Sequence, residues 1–384
     1  MPRKARSRTR AAKSPAGRRK AAPHRRTPGA SSLARAPNLI DLARRLSEAS
    51  GISGDEAAVR RVVLDSLQGR AEQVSVDALG NVLVRCRPSG RRAVRVMVAA
   101  HLDEVGLMVV GISREGMLRF EKVGGVDERY LLGKAVWVGK DHLPGVIGVK
   151  PIHLWEPSEV RKTVPVDSLL IDIGAPSKEA ASQWTQPGDR VAFATHFEAH
   201  GRLVRGKALD DRLGVASLIS LVLDPPPNIE LLAAFTTQEE VGLRGARVAA
   251  YALEPQAALV LDTTPANDLP MGDQSENPSY NTKLGAGPAV YLADRGTISD
   301  RRLVNLLAET ARAEGLPLQL RQPGGGATDA AAIHLTRQGI PSVSLSVPAR
   351  YLHTPLSLAH LDDWLNTLRL ARAALARLTA EMLR

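Results

Sequence analysis

Apolar runs of strand length that stop on ionisable residues recur along this chain, and the sharpest of them organises the rest. The largely apolar run Ile229–Phe235 reads as a buried strand and gives way to TTQEEVGLRGA, Thr236–Ala246, which opens a helix. The adjacent carboxylates Glu239 and Glu240 therefore stand where a strand ends and a helix begins. In an open α/β sheet, ligands gather outside the carboxyl ends of the strands. Neighbouring Glu side chains project in different directions, so one can hold a metal while the other faces a water. Metal-assisted hydrolysis needs that division of labour. The plainer reading is a polar first turn, where Glu meets the positive end of a helix dipole. On this stretch alone the two compete.

Four further strand ends shift the balance. Val94–Ala100 stops at His101, with Asp103 two residues on, and residues so spaced share a face if the extended geometry persists. The carboxylate would then fix the imidazole tautomer. GKALDDRLG, Gly206–Gly214, sets Asp210 and Asp211 at the mouth of an apolar helix, where they either cap it or bridge two cations. Ala258–Leu261 ends at Asp262, and Pro341–Val347 runs toward RYLHTP, which carries His353. Two imidazoles and three carboxylates form a ligand set suited to zinc, cobalt or manganese. If one Asp bridges, each ion has three protein ligands and an open position for water, the clamp found in aminopeptidases.

The texture around these points predicts an α/β fold, a mixed sheet flanked by helices. Asn38–Ser50, Asp55–Gly69, Ser299–Glu314, Asp329–Gln338 and Asp362–Arg384 carry helical patterns. Between Arg114 and Glu198, short strands separated by Gly, Pro and Asp take over, the signature of a small β-barrel or sandwich inserted into the frame. His142, His153, His196 and His200 fall in that stretch with spacings that fit no zinc motif. The expected boundaries are 1–36 for a tail, 37–113 with 199–384 for the main domain, and 114–198 for the insert. The glycines of GGGATD lack the Lys of a Walker loop, which argues against a nucleotide.

Charge separates the tail from the body. The net charge is +11, yet residues 1–36 hold twelve Lys/Arg and no acid, so the remainder has 39 basic against 40 acidic side chains. The tail cannot bury a core by composition and is expected to be disordered. A basic arm of this kind can attract nucleic acid, although a solvated extension is the preferred reading. No apolar run is long enough to cross a bilayer. The single cysteine, Cys86, excludes a disulfide or a multi-cysteine zinc site within one chain, and a reducing cytoplasm is the simplest compartment.

In order along the chain, HLDEVG, GKALDDR, TTQEEVGLRGA, LVLDTT, GGGATDA and RYLHTP resemble the motifs of the M42 family of metallo-aminopeptidases, the tetrahedral or TET peptidases. The resemblance runs from about residue 38 to the end, and GGVDERYLLGKAV and IDIGAPSKEA are similar to that family's dimerisation domain. It implies that His101, Asp210 and Asp262 hold one divalent ion, zinc or cobalt, and that Asp210, Glu240 and His353 hold a second. Asp210 rather than Asp211 would bridge, Glu239 would be the general base, and Asp103 would orient His101. The implied activity is release of N-terminal residues from peptides through a water activated by two metals. The implied assembly is a dodecamer built from dimers. A related dinuclear hydrolase of N-acyl amino acids, or a carboxypeptidase, shares the ligand pattern; the β-rich insertion between the first two ligands favours the aminopeptidase. The basic tail has no counterpart in the family pattern. HTPLSLAH also departs from it, lacking the acidic residue that more often follows the HisThrPro triplet.

Overall fold

The computed structural model describes residues 38–71, 73–88, 93–150, 152–154, 164–273, 275, 277 and 282–384, and the basic tail expected over 1–36 lies outside them. The chain enters through helices α1 (Leu39–Glu48) and α2 (Ala57–Leu67) and then lays down β1 (Val74–Val76), β2 (Val82–Cys86) and β3 (Val94–His101). It leaves the sheet for β4 (Gly106–Ile112), β5 (Leu118–Val123), β6 (Ala135–Val138), β7 (Leu143–Gly148), β8 (Leu170–Asp172), the short helix α3 (Lys178–Ala181) and β9 (Arg190–Phe193). It returns through β10 (Glu198–His200), β11 (Leu203–Gly206), α4 (Leu209–Leu223), β12 (Ile229–Thr236), α5 (Arg244–Leu253) and β13 (Ala257–Pro265). The last elements are β14 (Ala289–Tyr291), α6 (Arg301–Glu314), β15 (Gln319–Arg321), α7 (Ala330–Ile333), β16 (Ser342–Arg350), β17 (Ser357–His360) and α8 (Leu361–Arg377).

The main sheet runs β1-β2-β12-β3-β13-β16-β17-β11-β10, with β14 and β15 attached beside β16. Its centre, β12-β3-β13-β16, is parallel. Parallel strands are covered on both faces, which is why β3, β12 and β13 read as largely apolar runs; β16 alternates Ser with apolar residues, and its serines are buried too. In β3, Val96, Val98 and Ala100 join a core with α1, α2, α4, α6 and α8, while Met97 and Ala99 join a smaller core under α5 and α7. Helix α4 is buried at every position from Asp211 to Val222, so it lacks a polar stripe altogether. Strands β4-β5-β8-β7-β6-β9 close a separate barrel. Its interior alternates with its exterior: Val109 is buried and Val110 is exposed.

Element boundaries differ from the sequence reading at three points. The barrel's first strand begins at Gly106, ahead of residue 114, because Leu107 and Val109 already face the barrel core. Helix α7 is one turn long, not Asp329–Gln338. Thr336 turns its hydroxyl back onto the Ala332 carbonyl, and Arg337 adopts a left-handed φ of 56°. Helix α8 stops at Arg377 because the Asn228 amide donates to the carbonyls of Leu375 and Leu378, taking up acceptors the helix end leaves free. Among the described residues no helix is long and apolar enough to cross a membrane.

Trp364 fastens α8 to α4. It is fully buried, and its indole N–H donates to the Leu213 carbonyl at 3.0 Å and the Ser217 hydroxyl at 2.9 Å. Trp364→Ala should lower unfolding free energy by about 3–5 kcal/mol. Urea titration followed by circular dichroism measures this, and a loss below about 1 kcal/mol would mean that the two helices do not depend on this side chain.

Candidate active site

The four parallel strands carry His101 and Asp262 near their ends and lead into the segments that hold Asp103, Glu239, Glu240 and His353, while Asp210 joins them from the start of α4, after β11. His101 closes β3 opposite Thr236 of β12. Asp262 lies within β13 opposite Ser346, and His353 follows β16. Asp210 and Asp211 occupy the first turn of α4 with non-helical backbone angles, and the peptide bond between them is cis. Glu239 and Glu240 sit in the turn between β12 and α5, ahead of the helix that the sequence had them opening.

Asp210 is the centre of the arrangement. Its Oδ1 lies 3.2 Å from His101 Nε2 and its Oδ2 lies 3.6 Å from His353 Nε2, so each oxygen faces one imidazole. His101 Nε2 also lies 3.9 Å from Asp262 Oδ1, and His353 Nε2 lies 3.5 Å from Glu240 Oε2. Among the described residues, two triads have ligand atoms within 4.8 Å of one another: His101 with Asp210 and Glu240, and His101 with Asp211 and Asp262. Asp211, set aside in the sequence reading, is thus part of the cluster. Its Oδ1 accepts the Gly214 N–H, and its buried Oδ2 has no hydrogen-bond partner.

Asp103 is wholly buried and does more than face an imidazole. His101 Nδ1 is 3.1 Å from the Asp103 main-chain carbonyl and 3.5 Å from its carboxylate. The carboxylate instead accepts the N–H groups of Glu239 at 2.9 Å and Glu240 at 3.1 Å, and the Ser53 hydroxyl at 2.6 Å. Glu56 accepts from the Gln238 N–H just before them. The Glu239–Glu240 turn is therefore held by side chains from two other segments. Beneath it, buried Glu104 pairs with Lys207 at 2.6 Å and Arg212 at 3.1 Å, and Arg212 also donates to the carbonyls of Leu102 and Asp103. Asp329, in the GGGATDA turn, accepts from the Thr236 hydroxyl at 2.5 Å, and burial pushes its carboxyl up to about 6. Pairwise spacing gave no signal for Ser53, Glu56, Glu104 or Asp329, which meet the site only through packing. His142, His153, His196 and His200 do not line the cleft.

Electrostatics tests whether these residues suit a cation. Burial, reinforced by neighbouring carboxylates, pushes Asp211, Asp262 and Glu239 well above the carboxylate range and Glu240 up to about 7. Burial would raise Asp210 as well, but the imidazoles of His101 and His353 hold it far below its usual value. The hydrogen bond to Asp210 and the charge of Glu240 lift His353 to about 9 against the effect of burial. A buried cluster of opposing carboxylates, with an orphaned Asp211 oxygen, is a site that a divalent cation relieves. The cluster opens into a cleft of about 990 Å³, lined further by Tyr291, Arg321 and the Gly324–Gly326 turn.

Comparison with known proteins extends this picture. A family model described as M42 glutamyl aminopeptidase matches residues 80–370. A solved TET aminopeptidase from a marine-sediment Thaumarchaeota archaeon superposes with a TM-score of 0.85 at 36% identity, covering 90% of this chain and 98% of that one. The TET1 peptidase of Pyrococcus horikoshii, which can assemble into a tetrahedron or a large octahedral shell, gives a TM-score of 0.79 at 35% identity, covering 89% of this chain and all of that one. The lysyl aminopeptidase of Pyrococcus furiosus is 33% identical over 352 residues, 88% of this chain and 97% of its own length.

A cation must displace the protons that these ligands carry without it. With Glu240 near 7 and His353 near 9, affinity should climb as pH rises through about 7 and on toward about 9, with protons released on binding. Calorimetric zinc titration in buffers of different ionisation enthalpy checks both points. Affinity that is flat or falls with rising pH would contradict the protonation states described above.

Proposed function

Because the chain belongs to the M42 peptidase family and is a metal-dependent aminopeptidase, we propose that it releases N-terminal residues from peptides with two divalent ions, zinc or cobalt. One ion would be held by His101, Asp210 and Asp262, the other by Asp210, Glu240 and His353. The observation that carries this reading is the posture of Asp210, one oxygen toward each imidazole at 3.2 and 3.6 Å. When bound, such ions supply Lewis-acid activation of a water and of the peptide carbonyl.

The protein's own groups divide the remaining work. Glu239 lines the cleft and is buried with its carboxyl raised, the condition for a group that accepts a proton from water and returns it to the leaving amine. Asp103 orients His101 through its main-chain carbonyl and fixes Glu239 through its carboxylate, so a single residue sets both the ligand and the base. The open cleft receives the peptide, and the acidic cluster favours its free α-ammonium group, which makes cleavage exo from the N-terminus.

We place the protein in the cytoplasm as a homo-oligomer, dimers gathered into a dodecamer. Support comes from the likeness to the self-assembling TET1 peptidase and from Tyr130, Leu132, Val146, Leu154 and Trp184, all exposed on the barrel segment. Closed symmetry would cover such residues without leaving an open edge.

Glu239→Gln should keep its metal and lose about 10²–10⁴ in kcat on an unblocked peptide, since Gln cannot take the proton. Elemental analysis and residue release, with the N-acetylated peptide as control, give the result. Near-normal kcat at full metal content would exclude Glu239 as the base. For the assembly, twelve chains of 41.1 kDa make about 490 kDa. Light scattering behind size exclusion should find that mass in metal-replete buffer. A uniform active species of one or two chains would refute the dodecamer and leave the chemistry standing.

A further inference from the structure

The turn that follows β5 carries the barrel into the active site. There the Gly125 carbonyl lies 3.2 Å from His353 Nδ1. The Asp127 N–H donates to the His353 carbonyl at 3.1 Å. His353 itself has a left-handed φ of 59°, so its backbone is held where few side chains rest unaided. The turn also approaches too closely for side chains. A Cβ on Gly125 would lie 2.9 Å from His353 Nδ1, and one on Gly124 would lie 3.3 Å from the Glu240 Cβ. The two glycines therefore abut both residues that serve only the second ion in the proposed ligand set.

We propose that Gly125 is a positioning residue for the second divalent cation, so that the barrel, and not the α/β frame alone, decides whether that ion is held. The Gly125 carbonyl takes the Nδ1–H of His353 and leaves Nε2 as the nitrogen turned toward Asp210 and Glu240. Hydrogen-bonding partners of this kind set the tautomer and ring orientation of a ligating histidine. The missing side chain is the second half of the device, because a methyl group there would push the ring off its line. Gly125 itself has no left-handed φ, so alanine suits its backbone and collides only with His353. Among the described residues no hydrogen bond or ion pair joins this turn to His101 or Asp262, the two groups assigned to the first ion alone. This inference rests on the two-ion reading above.

The test is zinc titration of the metal-free full-length chain against a chromophoric chelator. Wild type should bind two ions per chain. Gly125→Ala should hold one with unchanged affinity and bind the other about tenfold or more weakly, the usual effect of disturbing a ligand's support. In a His353→Ala background the same substitution should change nothing further, since its effect passes through that ring. Gly133→Ala is the control for general loosening of the barrel. Gly133 has a φ of 75° and open space around its Cβ position, so the variant strains the barrel without touching the site and should keep both ions. Two tightly held ions in Gly125→Ala overturn the proposal. So does equal weakening in Gly133→Ala or in the His353→Ala background. A wild-type chain that binds a single ion overturns the two-ion reading, and this inference falls with it. If Gly125→Ala does not fold, hydrogen exchange on the wild type decides: zinc should slow exchange of the Asp127 amide and leave that of Gly133, bonded to Ile147, unchanged. An Asp127 amide indifferent to zinc also overturns the proposal.

Discussion

The structure turns on what becomes of the Asp103 carboxylate. A carboxylate taken out of water with no cation beside it is costly to keep ionised unless hydrogen bonds replace its hydration. Asp103 obtains them from the main-chain N–H groups of Glu239 and Glu240 and from Ser53, and the imidazole of His101 lies close enough to favour the charge. Burial would raise its pKa, but the His101 imidazole first, then the Ser53 hydroxyl and the Glu239 N–H, bring it below the usual value. The hydrogen bonds also tie the end of β3 to the turn after β12, so the spacing between His101 and the two glutamates is set by one side chain.

Glu104, the next residue, works on the opposite side of the same loop. Its pairs with Lys207 and Arg212 are buried, where removing one partner strands a charge and typically costs about 3–5 kcal/mol. Arg212 carries the network onward, donating to the carbonyls of Leu46, Leu102 and Asp103. Because Lys207 and Arg212 flank Asp210 and Asp211, the same pairs that support the His101 loop also anchor the mouth of α4. The acidic cluster and its scaffold are thus built from neighbouring residues that face different ways, Asp103 with Glu104 and Asp210 with Arg212.

The barrel has a second role besides any part in assembly. Its β5 turn lies against His353 and Glu240, whereas His101, Asp103 and Asp262 take their places from the α/β frame. The cleft is therefore a composite in which rigid parallel strands fix one half and a loop from another substructure completes the other. That arrangement explains why an insertion that supplies none of the proposed metal ligands still borders the chemistry.

Much of the parallel core was legible in the sequence because strands buried on both faces tend to be apolar for most of their length, and such runs ending on His, Asp or Glu are conspicuous. Val94–Ala100 and Ile229–Phe235 revealed themselves in this way, and with them His101, Glu239 and Glu240. The barrel showed itself through short alternating strands, although its first strand merged with the preceding motif. Other features were decided only by tertiary structure. α7 stops after one turn because of a threonine hydroxyl and a left-handed arginine, and α8 stops where Asn228, far away in sequence, takes up its last carbonyls. Ser53 and Glu56 lie in no motif, and HLDEVG, GGGATDA and GGVDERYLLGKAV contain Glu104, Asp329 and Gly125 without marking what those residues touch. Sequence periodicity records which face of an element is dry. Which distant polar group satisfies a buried donor or acceptor depends on how the elements pack, and only the folded chain settles it.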